Sequence, residues 1–114
     1  MRLHIEGDGI RITQTLERNI RRRLDFALRK YGSQVQTVTV RLTDVNGPRG
    51  GVDKRCSITV GGSGWDVFVE DLDSDVFVLL SRSVARMSRS VDRKIKRARS
   101  VPSVPLRALV VDSN

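Results

Sequence analysis

The sequence holds one cysteine, one histidine and three prolines in 114 residues, and aromatic side chains make up 4% of it. A lone Cys56 excludes an internal disulfide and any cysteine-based metal cluster. Together with the lone His4 it leaves no material for a typical zinc set or for a Cys/His nucleophile pair. No apolar run is long enough to span a bilayer, and no signal-peptide pattern opens the chain, so a reducing cytoplasm is the expected compartment. Acids are scarce relative to bases: 13 Asp and Glu face 21 Lys and Arg, a formal net charge of +8.

The chain is long enough for one domain with a modest core. Its charge is unevenly placed. Residues 16–30 carry net +4, residues 81–99 carry net +7, and the remainder is net −3. Concentrated positive charge of this kind points to nucleic acid, and less strongly to an anionic membrane surface.

The second basic segment organises the reading. Between Asp73 and Arg99, Phe77, Leu80, Val84, Met87, Val91, Ile95 and Ala98 recur at steps of three and four, the period of an amphipathic helix. Arg82, Arg86, Arg89, Arg93 and Arg97 follow the same period on the opposite side. Asp73, Ser74 and Asp75 suit the helix N-terminus, and Lys96, Arg97 and Arg99 its C-terminal end. A solvated face normally mixes signs, yet residues 81–99 hold eight bases and one acid, Asp92. That imbalance favours a polyanion-binding surface.

From the start, Leu3 and Ile5 alternate in a short strand that Gly7, Asp8 and Gly9 break. His4 is out of phase with them and is expected to face outward. Thr13 is placed to cap a helix carrying Leu16, Ile20, Leu24, Ala27, Leu28 and Tyr31, with Gly32 as its stop. Arg18, Arg22 and Arg29 lie on its far face, which Asp25 interrupts. Val38, Val40 and Leu42 alternate with Thr37, Thr39, Arg41 and Thr43 in a half-buried strand. Asn46 to Gly51 (NGPRGG) reads as a loop, because its glycines and proline do not suit a strand. Cys56, Ile58 and Val60, then Trp65, Val67 and Val69, form two further alternating runs joined at Gly61–Gly64 in a hairpin. Cys56 keeps the core phase and reads as a small buried hydrophobe.

The expected order is β-α-β-β-β-α: an α+β two-layer sandwich, a mainly antiparallel four-stranded sheet with both helices on one face. Residues 1–99 form the expected domain. Residues 100–114, with Pro102 and Pro105, are expected to be a flexible or partly ordered tail.

Catalytic signals are weak. Asp66, Glu70, Asp71, Asp73 and Asp75 cluster in sequence, but dipole complementation and solvation at the start of the last helix account for them. NGPRGG lacks the lysine-serine ending and the following helix of a phosphate-binding loop, and reads as a connection whose Arg49, Lys54 and Arg55 extend the basic surface. The arginines remain. Guanidinium matches phosphate oxygens bidentately and stays charged at all relevant pH. No aromatic recurs as a stacking platform on the exposed sheet face, so backbone and groove contact with structured RNA is expected rather than single-strand stacking on the sheet.

Several patterns are familiar in combination. The opening MRLHIEGDGIRIT, the helix Leu16 to Tyr31, and the Asp75-Val76-Phe77 start of the last helix with bases at Arg86, Arg89, Arg93 and Arg97 resemble the ribosome hibernation-promoting factor and ribosome-associated inhibitor family. The resemblance covers about residues 1–99. Phe77 stands where the family usually has tyrosine, and the NGPRGGVDKRC segment is longer and more basic than the family's.

The resemblance implies a β-α-β-β-β-α fold and a non-catalytic role. Members bind the small ribosomal subunit at the decoding centre, occlude the mRNA and tRNA channel and silence ribosomes in stationary phase or stress. By position, Arg22, Arg23 and Arg29 on the first helix and Arg82, Arg86, Arg89, Arg93, Lys94 and Arg97 on the last inherit contact with ribosomal RNA. The implied partners are the small subunit and its rRNA, with no membrane, small-molecule substrate, cofactor or metal. The fifteen residues after Arg99 do not suffice for the second, dimer-forming domain of long members, so a short form, monomeric off the ribosome, is expected. Some short members carry an acidic tail; here the tail has one acid, Asp112. The alternative reading is a binding module for other structured or double-stranded RNA.

Overall fold

The computed structural model describes residues 1–45 and 52–100. The expected NGPRGG loop and residues 101–114 of the expected tail lie outside the described residues, while Ser100, assigned to that tail, ends the last helix. Strand β1 (Arg2–Asp8) leads into helix α1 (Gln14–Leu28). A short 3-10 segment, Arg29–Gln34, then turns the chain into β2 (Val35–Asp44). Strands β3 (Lys54–Gly62) and β4 (Trp65–Asp73) follow, and α2 (Val76–Ser100) ends the described fold.

The sheet order is β1-β2-β3-β4. The two hairpin-type neighbours pair antiparallel, as expected for strands with short connections. β1 pairs with β2 in parallel, because α1 carries the chain back between them. Both helices therefore run in the direction opposite to β1 and β4 and lie parallel to each other on one face. The expected two-layer α+β sandwich is the observed one.

Local sequence explains each turn of the path. The Leu16 backbone N–H donates to Thr13 Oγ1 at 3.1 Å, the N-cap predicted for α1. Asp75 Oδ1 accepts from the N–H groups of Phe77 (2.8 Å) and Val78 (3.2 Å) and caps α2. Gly32 ends the turn after α1 with φ 56°, a left-handed conformation that a side chain would strain. Gly64 does the same in the β3–β4 hairpin at φ 81°.

The core joins Leu16, Ile20, Leu24 and Leu28 of α1 to Val38, Val40 and Leu42 of β2, Cys56, Ile58 and Val60 of β3, and Val67 and Val69 of β4. Helix α2 adds Leu79, Leu80, Val84, Met87, Val91 and Ile95. Two ends of its expected apolar stripe fall outside this core. Phe77 is 44% exposed and Ala98 is exposed, whereas Val76 packs against the core and Leu79 is fully buried. The first turns direct Val76, Leu79 and Leu80 at the sheet, so Phe77 is rotated to the side of that face, while Ala98 stands beyond Ile95, the last buried residue of α2 among those described. One long-range tie holds the helices together. Tyr31 Oη donates to Asp92 Oδ1 at 3.1 Å, joining the segment after α1 to the middle of α2.

The face of the sheet turned away from the helices is mostly polar, with Phe68 and Leu72 of β4 as exposed apolar residues on it. His4 is exposed there as expected and lies 2.8 Å from Glu6, which also holds Arg41 across the β1–β2 pair at 2.8 Å.

Candidate nucleic-acid interface

The basic residues fall into bands set by the sheet edges. On α1, Arg18, Arg21 and Arg22 overhang the β1 edge and share a hollow with Met1 and Leu3. On α2, Arg93, Lys94 and Arg97 overhang the β4 edge and share a notch with Asp66, Val67 and Phe68. The two bands are on opposite flanks of the helical layer, and between them runs the groove separating α1 from α2. The sequence shows two basic helices; it does not show that their stripes point to opposite edges.

The α2 stripe divides in two along its length. Arg82 Nε donates to Asp71 Oδ2 at 2.6 Å, its Nη1 to Asp73 Oδ2 at 3.0 Å, and its Nη2 to the Leu72 carbonyl at 2.7 Å. One helical turn on, Arg86 Nη1 donates to the Glu70 carbonyl at 3.1 Å and lies 3.4 Å from Asp71 Oδ2. β4 is an edge strand, and Leu72 and Glu70 stand two residues apart along it. These two arginines thus occupy successive outward carbonyls of an edge that is otherwise open to pairing. They stand beside β4 rather than opposite the core, as the helical wheel had implied.

The acids just before α2 consequently have partners that sequence spacing did not assign. The Arg82 hydrogen bond holds the Asp71 carboxyl below the usual carboxylate range. Asp73 is lowered as well, first by the hydrogen bond from the Asp75 N–H and then by Arg82. The same contacts raise the Arg82 guanidinium above its ordinary value.

The later part of the stripe is differently placed. Arg89 and Arg93 are exposed, and no carboxylate of the described residues pairs with Arg89, Arg93 or Lys94. Arg93 Nη2 donates to Ser90 Oγ at 3.2 Å within the helix. Arg97 is exposed at the end of the same row. On α1, Arg22 is exposed, and among the described residues it pairs with no acid. Arg23 is half-buried, its Nε bound to Asn19 Oδ1 at 2.7 Å, and Arg29 pairs with Asp25 at 3.2 Å. Asp25 therefore does interrupt the α1 face.

The expected extension of the basic surface through Lys54 and Arg55 is not observed. Lys54 Nζ lies 2.6 Å from Asp53 and 4.0 Å from Asp44, and Arg55 lies 3.8 Å from Glu70, so their charges are locally matched. Arg49 lies outside the described residues. Cys56 is buried, and burial pushes its thiol up to about 11. No group of three or more potential metal ligands comes together among the described residues.

The fold and its basic flanks define a small two-layer α+β domain with its cations gathered on the helical layer. The chain belongs to the Sigma 54 modulation protein / S30EA ribosomal protein family, whose model matches residues 3–99. This bears out the resemblance to the hibernation-promoting factor family, a family of ribosome-associated modulation factors rather than of enzymes. The fold is similar to the crystal structure of the Thermus thermophilus Protein Y N-terminal domain, at 23% identity and a TM-score of 0.70, over 82% of this chain and 98% of that one. It is also similar to a ribosomal subunit interface protein from Coxiella burnetii, at 12% identity and a TM-score of 0.62, over 87% of this chain and 98% of that one. No curated protein sequence matches the chain.

Proposed function

We propose that this protein is a ribosome hibernation factor of the cytoplasm. It binds the small ribosomal subunit through the basic faces of α1 and α2 and occludes the mRNA and tRNA decoding channel in stress or stationary phase. The observation that carries this reading is the row Arg89, Arg93 and Lys94, which projects cationic groups unmatched by any described carboxylate in a member of a ribosome-associated family. Arg22 on the other flank supplies a second anchor. Arg23, Arg29 and Arg97 contribute to the same surface, and Arg82 and Arg86 contribute mainly by holding β4.

Inhibition is steric and electrostatic. Arginines held on a rigid helix present guanidinium groups to phosphates at fixed spacing, and a folded domain lodged in the channel excludes mRNA and tRNA without turnover. The domain of residues 1–99 suffices for this; the tail is dispensable, and the chain is monomeric off the ribosome.

Sedimentation of the tagged protein through a sucrose gradient of cell extract tests the proposal. Co-migration with small subunits and loss of mRNA binding by those subunits are expected. The second reading, a module for structured RNA in general, is favoured by one observation: the basic groups are phosphate-type contacts that carry no base selectivity of their own. Equal affinity for subunits and for an unrelated folded RNA of similar size decides for it.

A further inference from the structure

Phe26 is the most exposed large hydrophobic side chain described, at 79%, and it does not lie on the sheet. It stands on α1 at the rim of the groove between the two helices, a concavity of about 640 Å³. The floor on the α2 side is made of small residues, Ser81, Ala85 and Ser88, spaced so that one face of the helix stays low. Arg23, three residues before Phe26 on α1, and Lys30, four residues after it in the 3-10 segment, stand on the same rim. Among the described residues, no acid lines the groove. Arg23 Nε donates to Asn19 Oδ1, and no acid of the described residues pairs with its terminal amino groups. Lys30 is steadied over the Tyr31 ring at 5.2 Å.

The groove lies on the path between the two basic flanks. A polyanion held by Arg22 at the β1 edge and by Arg93 at the β4 edge must cross it. An apolar peptide would gain nothing from cations at both ends of the groove and would bury them. A nucleotide uses all of the features: a flat ring for the aromatic face, phosphates for the two cations, and hydroxyls at Ser81 and Ser88 for the base edge or sugar.

We propose that the groove between α1 and α2 receives one unstacked RNA nucleotide, its base lying on Phe26 and its phosphates held by Arg23 and Lys30. The proposal rests on the RNA-binding reading above and adds an aromatic contact to it. It predicts a contribution to affinity that salt does not screen, unlike that of the arginines.

The test measures binding to purified small ribosomal subunits across a salt series. Phe26→Ala is expected to weaken binding by on the order of ten-fold with an unchanged log–log salt slope, and Phe26→Trp to retain it. Because Phe26 is exposed, circular dichroism of each variant is expected to match wild type. In a second arm, a photo-crosslinking benzoylphenylalanine at position 26 is irradiated on the subunit. A nuclease-sensitive adduct supports the proposal; an adduct to ribosomal protein overturns it. Wild-type affinity in Phe26→Ala overturns this proposal alone, whereas failure of the wild type to bind subunits at any salt overturns it together with the functional reading.

Discussion

Arg82 Nε and Asp71 Oδ2 lie 2.6 Å apart, joining the basic stripe of α2 to the edge strand beside it. The contact recruits an arginine of the basic stripe into the fold and uses one of the acids clustered before α2. Arg82 also reaches Asp73 and the Leu72 carbonyl, so three acceptors on the β4 edge depend on one guanidinium.

Arg82→Ala is accordingly expected to lower the urea midpoint and to expose the β4 edge. Bare carbonyls on an edge strand invite pairing with another chain. Light scattering during size-exclusion chromatography should show larger species than the wild type forms at the same concentration. A monomeric variant of unchanged midpoint argues against the edge-capping role.

Arg89→Glu with Arg93→Glu should abolish or sharply reduce small-subunit binding while leaving the unfolding free energy from urea titration within about 0.5 kcal/mol per site of wild type, since both side chains are exposed. For the wild type, roughly six phosphate contacts predict a log–log salt slope of about −4 to −5. The double variant, where binding remains measurable, should show a shallower slope. Full binding by the folded double variant removes this row from the interface. The pair Arg86→Glu with Arg93→Glu is a less clean probe, because Arg86 also serves the Glu70 carbonyl.

Acid should destabilise the domain through the carboxylates that cations hold low. Asp71, Asp73, Asp92 and Glu6 all titrate below their ordinary range, chiefly through hydrogen bonds from Arg82, from the Asp75 N–H, from Lys96 and from Arg41 respectively. A lowered folded-state value means that the stabilisation is complete above the unfolded value of about 4 and is lost as pH falls through the folded values. Thermal midpoints should therefore be flat from pH 7 to about 5 and fall below about 4. Midpoints that rise on acidification would show that these pairs do not stabilise the fold.

The two faces of the first turns of α2 make a direct contrast. Leu80→Ala removes a fully buried side chain and should cost about 2–5 kcal/mol, whereas Phe77→Ala, one helical turn earlier and 44% exposed, should cost less than about 1 kcal/mol. Urea denaturation of the two variants checks this, and equal losses would place Phe77 in the core after all.

Cys56 should be inert in the native state. Its burial between the layers and a thiol pushed up to about 11 leave little thiolate at pH 8. A thiol-disulfide reagent such as Ellman's is expected to react within minutes in 6 M guanidinium, a denaturing concentration of about this order, and not over the same time in buffer. Rapid native labelling contradicts the packing of β3 against α2.

Local periodicity carried most of the fold. The alternation at Val38–Val40–Leu42 and Cys56–Ile58–Val60, the caps Thr13 and Asp75, and the turn glycines Gly32 and Gly64 each act over a few residues, and hydrophobic burial along a helix or strand repeats at a period that the sequence displays. That is why the element order, the two-layer sandwich and the identity of the core strands were legible. The sequence also determined that arginine would dominate both helices. Which of those arginines stand free was decided only by tertiary structure. Arg82 meets Asp71 across eleven residues and Tyr31 meets Asp92 across sixty-one, and no periodicity encodes which strand edge a helix face overhangs. The placement of α2 against β4 decides it: the first turns of the helix lie against outward carbonyls and acids, so their guanidinium groups are taken, while Arg89 and Arg93 in the later turns are exposed and pair with no carboxylate of the described residues.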